Sequence, residues 1–362
     1  MSENIDFIVN KSNLGECKFV PGDSAALEEG AVRFRVEKYA FTANNVTYGV
    51  AGDMLNYWQF FPAEEGWGRI PVWAIGTVAE SRHDGLKEGD RYYGYFPMSS
   101  TLTVRPDRVS EGGFYDSTAR RQELAPTYNQ YLKVAPEYGI IPEYEDHSML
   151  YRPLFATSFL IDDWLAAADF YDAKTLILSS ASSKTSFGLA HQTALRGKEG
   201  FKIIGLTSPG NVAFVEGLGC YDQAITYDDI SSIPNEGPVA YVDMAGSAEV
   251  SAAVHNHFAD QLKLSLGVGL THWQEAGQNA DLPGAERQMF FAPDQIQKKA
   301  KELGPQAFQQ TMGAALATLY AFADKHVEIV QRKGREGVES TYQEMLTGKA
   351  KPNQGFIVSM DS

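Results

Sequence analysis

The residues best suited to chemistry in this chain lie in one short stretch, Thr175-Leu-Ile-Leu-Ser-Ser-Ala-Ser-Ser-Lys-Thr-Ser-Phe-Gly-Leu-Ala190. An apolar run gives way to a polar bend and then to a helix start, the local build of a phosphate-holding strand-turn-helix unit. A turn that holds a dinucleotide needs a tight bend, close backbone approach to the pyrophosphate and close packing of helix on strand, and glycine usually supplies all three. Here serines occupy the bend. A serine hydroxyl can donate to a phosphate oxygen, while a helix N-terminus offers backbone N–H groups and partial positive charge. Ser180, Ser182, Ser183 and Thr185 are the candidate hydroxyls, and Lys184 adds a full charge. A nucleoside-triphosphate loop is set aside, because Gly-x-x-x-x-Gly-Lys-Thr needs glycines where Leu178 and Ser183 stand. That the serines only cap a helix stays open.

The next strand bears on which dinucleotide. An NAD site usually ends its second strand on an Asp or Glu that holds the ribose hydroxyls. This strand ends Gly205-Leu-Thr-Ser-Pro-Gly-Asn211, without a carboxylate to repel a 2′-phosphate. NADP is therefore the expected cofactor, with Thr207, Ser208, Asn211 and Lys184 as candidate partners. The same residues also fit a capped helix start at Ser208-Pro209.

Elements around these residues must position them. Strands at 175–180, 201–207, 240–244 and 263–270 alternate with helices at 184–196 and 209–218, which calls for a parallel, doubly wound sheet. Residues 30–104 instead alternate apolar and polar positions between turn signals, as in Ala31-Val-Arg-Phe-Arg-Val-Glu-Lys-Tyr39, and read as a β-rich module. Residues 105–150 read as an elaborated loop with a strand entry at Tyr128-Asn-Gln-Tyr131; around Arg120 and Arg121 it is either a solvated charged loop or a cover over the site. A helical pattern begins at Thr157, and a long helical region runs from Phe290-Phe-Ala-Pro-Asp-Gln to about Arg332. From Tyr342 the pattern is a short helix, a turn and a last strand.

With 31 basic and 46 acidic residues the formal charge is −15, which repels nucleic acid and anionic membranes, so neither is an expected partner. Two cysteines, Cys17 and Cys220, cannot make a disulfide framework or a zinc cluster, and a reducing, cytoplasmic setting is expected. The first residues carry no basic export signal, and no apolar run approaches the ~20 residues of a membrane span.

The order of these pieces resembles the medium-chain dehydrogenase/reductase superfamily, in its zinc-free, quinone-reductase-like branch. Pro71, Gly76-Thr-Val78 and Gly89-Asp90-Arg-Tyr stand where its GroES-like domain has a Pro-rich approach, a Gly-x-Val strand and a Gly-Asp-x-Val turn. Ser180-Ala-Ser-Ser-Lys-Thr-Ser186 lies on the branch's Gly-Ala-x-Gly-Gly-Val-Gly turn, with Ser180, Ser183 and Ser186 at glycine places. The Ser-Ser-Lys-Thr turn and the Phe-Phe-Ala-Pro-Asp-Gln segment resemble a little-characterised family of unknown function within that group. The resemblance implies an α/β chain with a discontinuous GroES-like, β-rich catalytic domain over 1–150 and 310–362. A doubly wound, parallel-sheet Rossmann domain binding NADP would occupy 151–309.

Zinc-dependent relatives bind metal through Cys-x-x-Asp and Gly-His-Glu, which fall here on Asn45-Val-Thr-Tyr48 and Pro71-Val72-Trp73. The ligands are gone, and no metal is expected. His255 and His257, two residues apart, face different directions on a helix and are not expected as ligands. Without zinc, hydride transfer needs other groups to polarise a carbonyl and deliver a proton. Tyr48 can donate from its phenol and Asn45 can orient an oxygen, both in what the resemblance makes an active-site loop. Tyr48 equally fits a packed aromatic. Tyr128, Tyr131, His272 and Trp273 are further cleft candidates, the last two because ligands bind beyond the carboxyl ends of strands in open α/β sheets.

The expected activity is an NADPH-dependent, zinc-free reduction of a small ketone, enone or quinone-type molecule. Two alternatives remain: an NADP-holding protein with non-redox lyase or retro-aldol activity, and a non-catalytic cofactor-binding protein. Dimers are common among what the chain resembles, which leaves a homodimer open.

Overall fold

The computed structural model describes residues 4–268 and 282–361. The chain divides into two compact units, Met1–Leu150 with Glu328–Ser362, and Tyr151–Val327.

In the first unit a period of two decides which side chains go inside. Val32, Phe34 and Val36 are buried along the strand Val32–Phe41, while Arg35 between them is exposed. That strand pairs antiparallel with Pro71–Ser81, which pairs with Arg91–Pro97. The sheet extends through Gln354–Ser359 to Glu328–Lys333 on one side, and through Gln130–Lys133 and Gly113–Asp116 to Pro106–Ser110 on the other. Thr101–Val104 adds to Val32–Phe41, completing nine strands. A smaller sheet joins Cys17–Pro21, Ile5–Asn10 and Trp67–Gly68. Its core is aromatic, and Gly94 makes room for it: a Cβ there would lie 2.5 Å from the Tyr131 ring.

The second unit is a parallel sheet with helices, labelled here within the unit. Its elements run β1 (Thr175–Leu178), α1 (Lys184–Ala194), β2 (Lys202–Thr207), α2 (Val212–Gly217), β3 (Gln223–Thr226), β4 (Val239–Asp243), α3 (Ala248–Phe258), β5 (Leu262–Val268), β6 (Arg287–Phe290), α4 (Ala292–Leu303) and α5 (Pro305–Ala323). All five pairings are parallel, in the order β3-β2-β1-β4-β5-β6. This is the doubly wound dinucleotide-fold order, whose reversal point lies between β1 and β4. Leu176, Ile177 and Leu178 are wholly buried, as strands covered on both faces must be. No helix among the described residues is long and apolar enough to cross a membrane.

Several expected elements differ. The helix expected from Thr157 begins at Glu145, with Glu145 and Asp146 in its first turn, where carboxylates suit the positive helix end. The helical region does not reach Arg332; Glu328–Lys333 is a strand, and the chain returns to the first unit at 328 rather than 310 because α5 continues through that point. Residues 105–150 contain three strands rather than only a loop. Asn45 and Tyr48 stand on a helix, Ala43–Val50, and not in a loop.

Candidate functional site

The turn after β1 keeps a glycine-type backbone with a serine in it. Ser180 has φ of 51°, the left-handed region that costs an L-residue and that glycine enters freely. The bend closes where the Ser183 N–H donates to the Ser180 carbonyl at 2.8 Å. Ser183 is the N-cap of α1, its hydroxyl accepting from the Ser186 N–H at 3.2 Å, so capping does occur. Ser186 is buried, donating to the Ser179 carbonyl, and Tyr221 donates to the Ala181 carbonyl at 3.0 Å. Close packing is supplied from the neighbouring strand instead: a Cβ on Gly205 would sit 2.7 Å from that of Ala181.

Ser182 and the loop after β2 meet. Asn211 Nδ2 donates to the Ser182 hydroxyl at 3.1 Å and to the Ser208 hydroxyl at 3.2 Å. Ser208 is exposed, Ser182 and Asn211 are half-buried, and the first carboxylate after Thr207 is Glu216. Thr207 is buried at the end of β2. Lys184 is the first residue of α1 and half-buried; burial lowers its ammonium to about 8. Thr185 follows it, its carbonyl accepting from the Ser158 hydroxyl at 2.7 Å.

A buried network at the β1–β4 boundary escaped the sequence reading. Asp243, 1 % exposed at the end of β4, accepts from the Ser179 hydroxyl (2.7 Å), the Ala245 and Gly246 N–H groups (3.1 and 3.0 Å), the Ser251 hydroxyl (3.0 Å) and Arg287 Nη2 (2.7 Å). Ser179 in turn accepts from the N–H groups of Met244 and Ala245. The carboxylate thus anchors the residue just before left-handed Ser180. The available signal was an apolar strand, Val-Ala-Tyr-Val, that ends on an acid.

His255 and His257 are held in structural hydrogen bonds. His255 bonds the Pro283 carbonyl and the Ser265 hydroxyl, both at 2.8 Å, and His257 the Ile233 carbonyl at 2.7 Å. No group of three metal-ligating side chains occurs among the described residues. His272 and Trp273 lie outside the described residues.

In the first unit, Asn45 and Tyr48 take different roles. Asn45 is buried; its Oδ1 accepts from the Thr42 N–H (2.7 Å) and hydroxyl (3.0 Å), and its Nδ2 donates to the Pro71 carbonyl (2.9 Å). Its amide is thus engaged on both sides, by Thr42 at the helix start and by the Pro71 carbonyl of the strand Pro71–Ser81, a structural role rather than the free amide expected to orient an oxygen. The Tyr48 hydroxyl accepts from Asn44 Nδ2 at 2.7 Å, which leaves its own proton to be donated. Burial, reinforced by Tyr57, raises the Tyr48 phenol well above its usual range and keeps it protonated. Half-exposed Tyr128 stands beside it, ring centroids 6.5 Å apart, with its hydroxyl 3.2 Å from that of Tyr57.

Tyr131 and Arg121 do not belong to an open cleft. Tyr131 donates to the Tyr95 carbonyl at 2.6 Å and is fully buried. Arg121, expected in a solvated or covering loop, is also fully buried. It is paired with Asp116 at 2.8 Å and donates to the Tyr131 hydroxyl and the Tyr128 carbonyl. A buried guanidinium survives because carboxylate and oxygen acceptors replace its water. Arg120 Nε donates to the Phe60 carbonyl at 3.1 Å.

Solved structures of similar fold include CurA from Vibrio vulnificus, solved in complex with NADPH (TM-score 0.63, 12% identity). Others are the quinone oxidoreductase from Coxiella burnetii (0.59, 14%) and CurK enoyl reductase (0.56, 12%). Each comparison covers 99% of this chain and 99% of the other. At such identities it is the fold alone that is shared. No curated protein matches the sequence. The match that identifies kinship is to the family described as "Protein of unknown function (DUF2855)", whose pattern runs over residues 39–351, so that this chain, with its serine-built turn, belongs to that family.

Proposed function

We propose that the protein is an NADP(H)-dependent, zinc-free oxidoreductase acting on a ketone, enone or quinone-type small molecule. The observation that carries this reading is the Ser182–Asn211–Ser208 cluster, which joins the β1 turn to an acid-free loop after β2, beside Lys184 at the start of α1. A 2′-phosphate needs hydroxyl or amide donors and no carboxylate at that loop, and pyrophosphate needs a helix N-terminus with positive charge. The residues fit that group. CurA, solved with NADPH, shares the fold.

Bound NADPH would supply a hydride. Ser182, Ser208 and Asn211 would hold the 2′-phosphate, and Lys184 with the first turn of α1 would hold the pyrophosphate. Asp243 keeps Ser179, and hence the bend, in place. Tyr48 donates its proton to the oxygen that gains charge, and Asn44 directs that proton by donating to the phenol oxygen. A phenol held neutral suits a strongly basic alkoxide or enolate. Tyr128 stands in the same aromatic group.

Titration of nicotinamide fluorescence with NADPH and NADH tests the cofactor. Saturable binding with preference for NADPH is expected, and absence of binding would overturn the reading. Loss of nicotinamide absorbance during turnover tests the chemistry. Turnover with NADPH bound but unconsumed would replace reduction by lyase-type cleavage.

A further inference from the structure

The aromatic group around Tyr48 has a feature that packing alone leaves unexplained. Tyr95 is wholly buried and its hydroxyl has no hydrogen-bond partner, and the buried Trp73 Nε1 has none either. Both act on the Tyr48 hydroxyl without reaching hydrogen-bond geometry. A buried donor without an acceptor is costly, so two neighbouring ones need a reason. The rings stand close: Trp73 to Tyr95 at 5.1 Å, Tyr95 to Tyr48 at 5.7 Å, Tyr48 to Tyr57 at 4.5 Å and Trp73 to Tyr128 at 6.0 Å between centroids.

The chemistry of the missing partner follows from what surrounds it. Indole N–H is donor only, and phenols held protonated donate, so the partner is an oxygen acceptor. Arg121, the guanidinium that acts on Tyr95, is neutralised by Asp116, so the group presents dipoles rather than net charge. That favours a neutral carbonyl over a carboxylate. Half-exposed Tyr57, Trp73 and Tyr128 provide ring faces and edges, which prefer a flat π-system to a saturated chain.

We propose that Tyr48, Tyr57, Trp73, Tyr95 and Tyr128 form a binding site for a planar aromatic ring bearing a neutral carbonyl, whose oxygen accepts from Trp73 Nε1 and from the Tyr95 and Tyr48 hydroxyls. This narrows the substrate class of the reductase reading and rests on it for the reaction, though not for binding. The ring inserts between half-exposed Tyr57 and Tyr128, parting the contact of their hydroxyls at 3.2 Å so that their faces flank it.

The test compares acetophenone with cyclohexyl methyl ketone, its ring-saturated counterpart, by calorimetric titration of the full chain. Acetophenone should bind roughly five- to tenfold more tightly, the scale of an aromatic pair. Trp73→Phe and Tyr95→Phe, which keep a ring and remove one donor each, should each weaken acetophenone roughly three- to tenfold. Equal binding of the two ketones, or unchanged acetophenone affinity in both variants, overturns the site. NADPH binding is measured on the same samples. NADPH bound without ketone discrimination overturns the ring site and leaves the cofactor reading standing. Discrimination without NADPH binding supports the ring site and removes the cofactor reading.

Discussion

Asn211 bridges Ser182 and Ser208, 3.1 and 3.2 Å from their hydroxyls, so the bend after the first strand and the loop after the second form one polar surface. A carboxylate introduced at the exposed end of that bridge should repel a 2′-phosphate. For Ser208→Asp we expect NADPH affinity to fall by about tenfold or more, while NADH binding stays level or improves. Fluorescence titration of both cofactors checks it, and a parallel loss for the two would point to distortion of the loop instead.

Lys184 carries a pH signature. Burial lowers its ammonium from 10.5 to about 8, so it is charged below that pH and neutral above it. NADPH affinity should therefore be full below about pH 8 and decline as pH rises through it, with protons taken up on binding near pH 8. Lys184→Ala should weaken binding about tenfold at neutral pH and flatten this decline. The unfolded chain binds more protons than the folded one between about 8 and 10.5, so the lysine's contribution to stability rises with pH in that window. Denaturant midpoints of wild type and variant across that range provide the check.

Asp243→Asn should act on stability first. It leaves Arg287, 22% exposed, without its carboxylate and weakens the anchor on Ser179. A loss of about 2 kcal/mol is expected, below the roughly 3–5 kcal/mol of a wholly buried pair. Urea unfolding reads it. NADPH binding should weaken as well in protein that remains folded, because Ser180 follows the residue released.

Tyr48 and Asn45, three residues apart, should separate cleanly. Tyr48→Phe should lower kcat about 100-fold, with NADPH affinity and folding little changed. Asn45→Ala should instead cost about 1–2 kcal/mol of stability through the lost cap. Steady-state kinetics beside thermal unfolding distinguishes them; equal stability losses would assign Tyr48 a packing role.

Local periodicity carried much of the fold. Three-to-four spacing and short apolar runs marked β1, β2, β4, β5 and α1, and their alternation was enough for a parallel sheet. Strands such as Gln223–Thr226 and Glu328–Lys333 were hidden because they are short or face solvent, with few apolar residues to show a period. Their pairing comes from distant partners, Lys202–Thr207 and Gln354–Ser359.

The sequence by itself determined the fold class, the position of the serine bend and the absence of an acid after Thr207, since each is a matter of residue type at short range. Tertiary structure decided which polar groups remain available. It committed the Asn45 amide to Thr42 and Pro71, buried Arg121 against Asp116, and drew Ser179, Ser251 and Arg287 onto Asp243. The physical reason is one of accounting across distance: a buried donor or acceptor must find a partner, and that partner is set by packing between residues far apart in the chain.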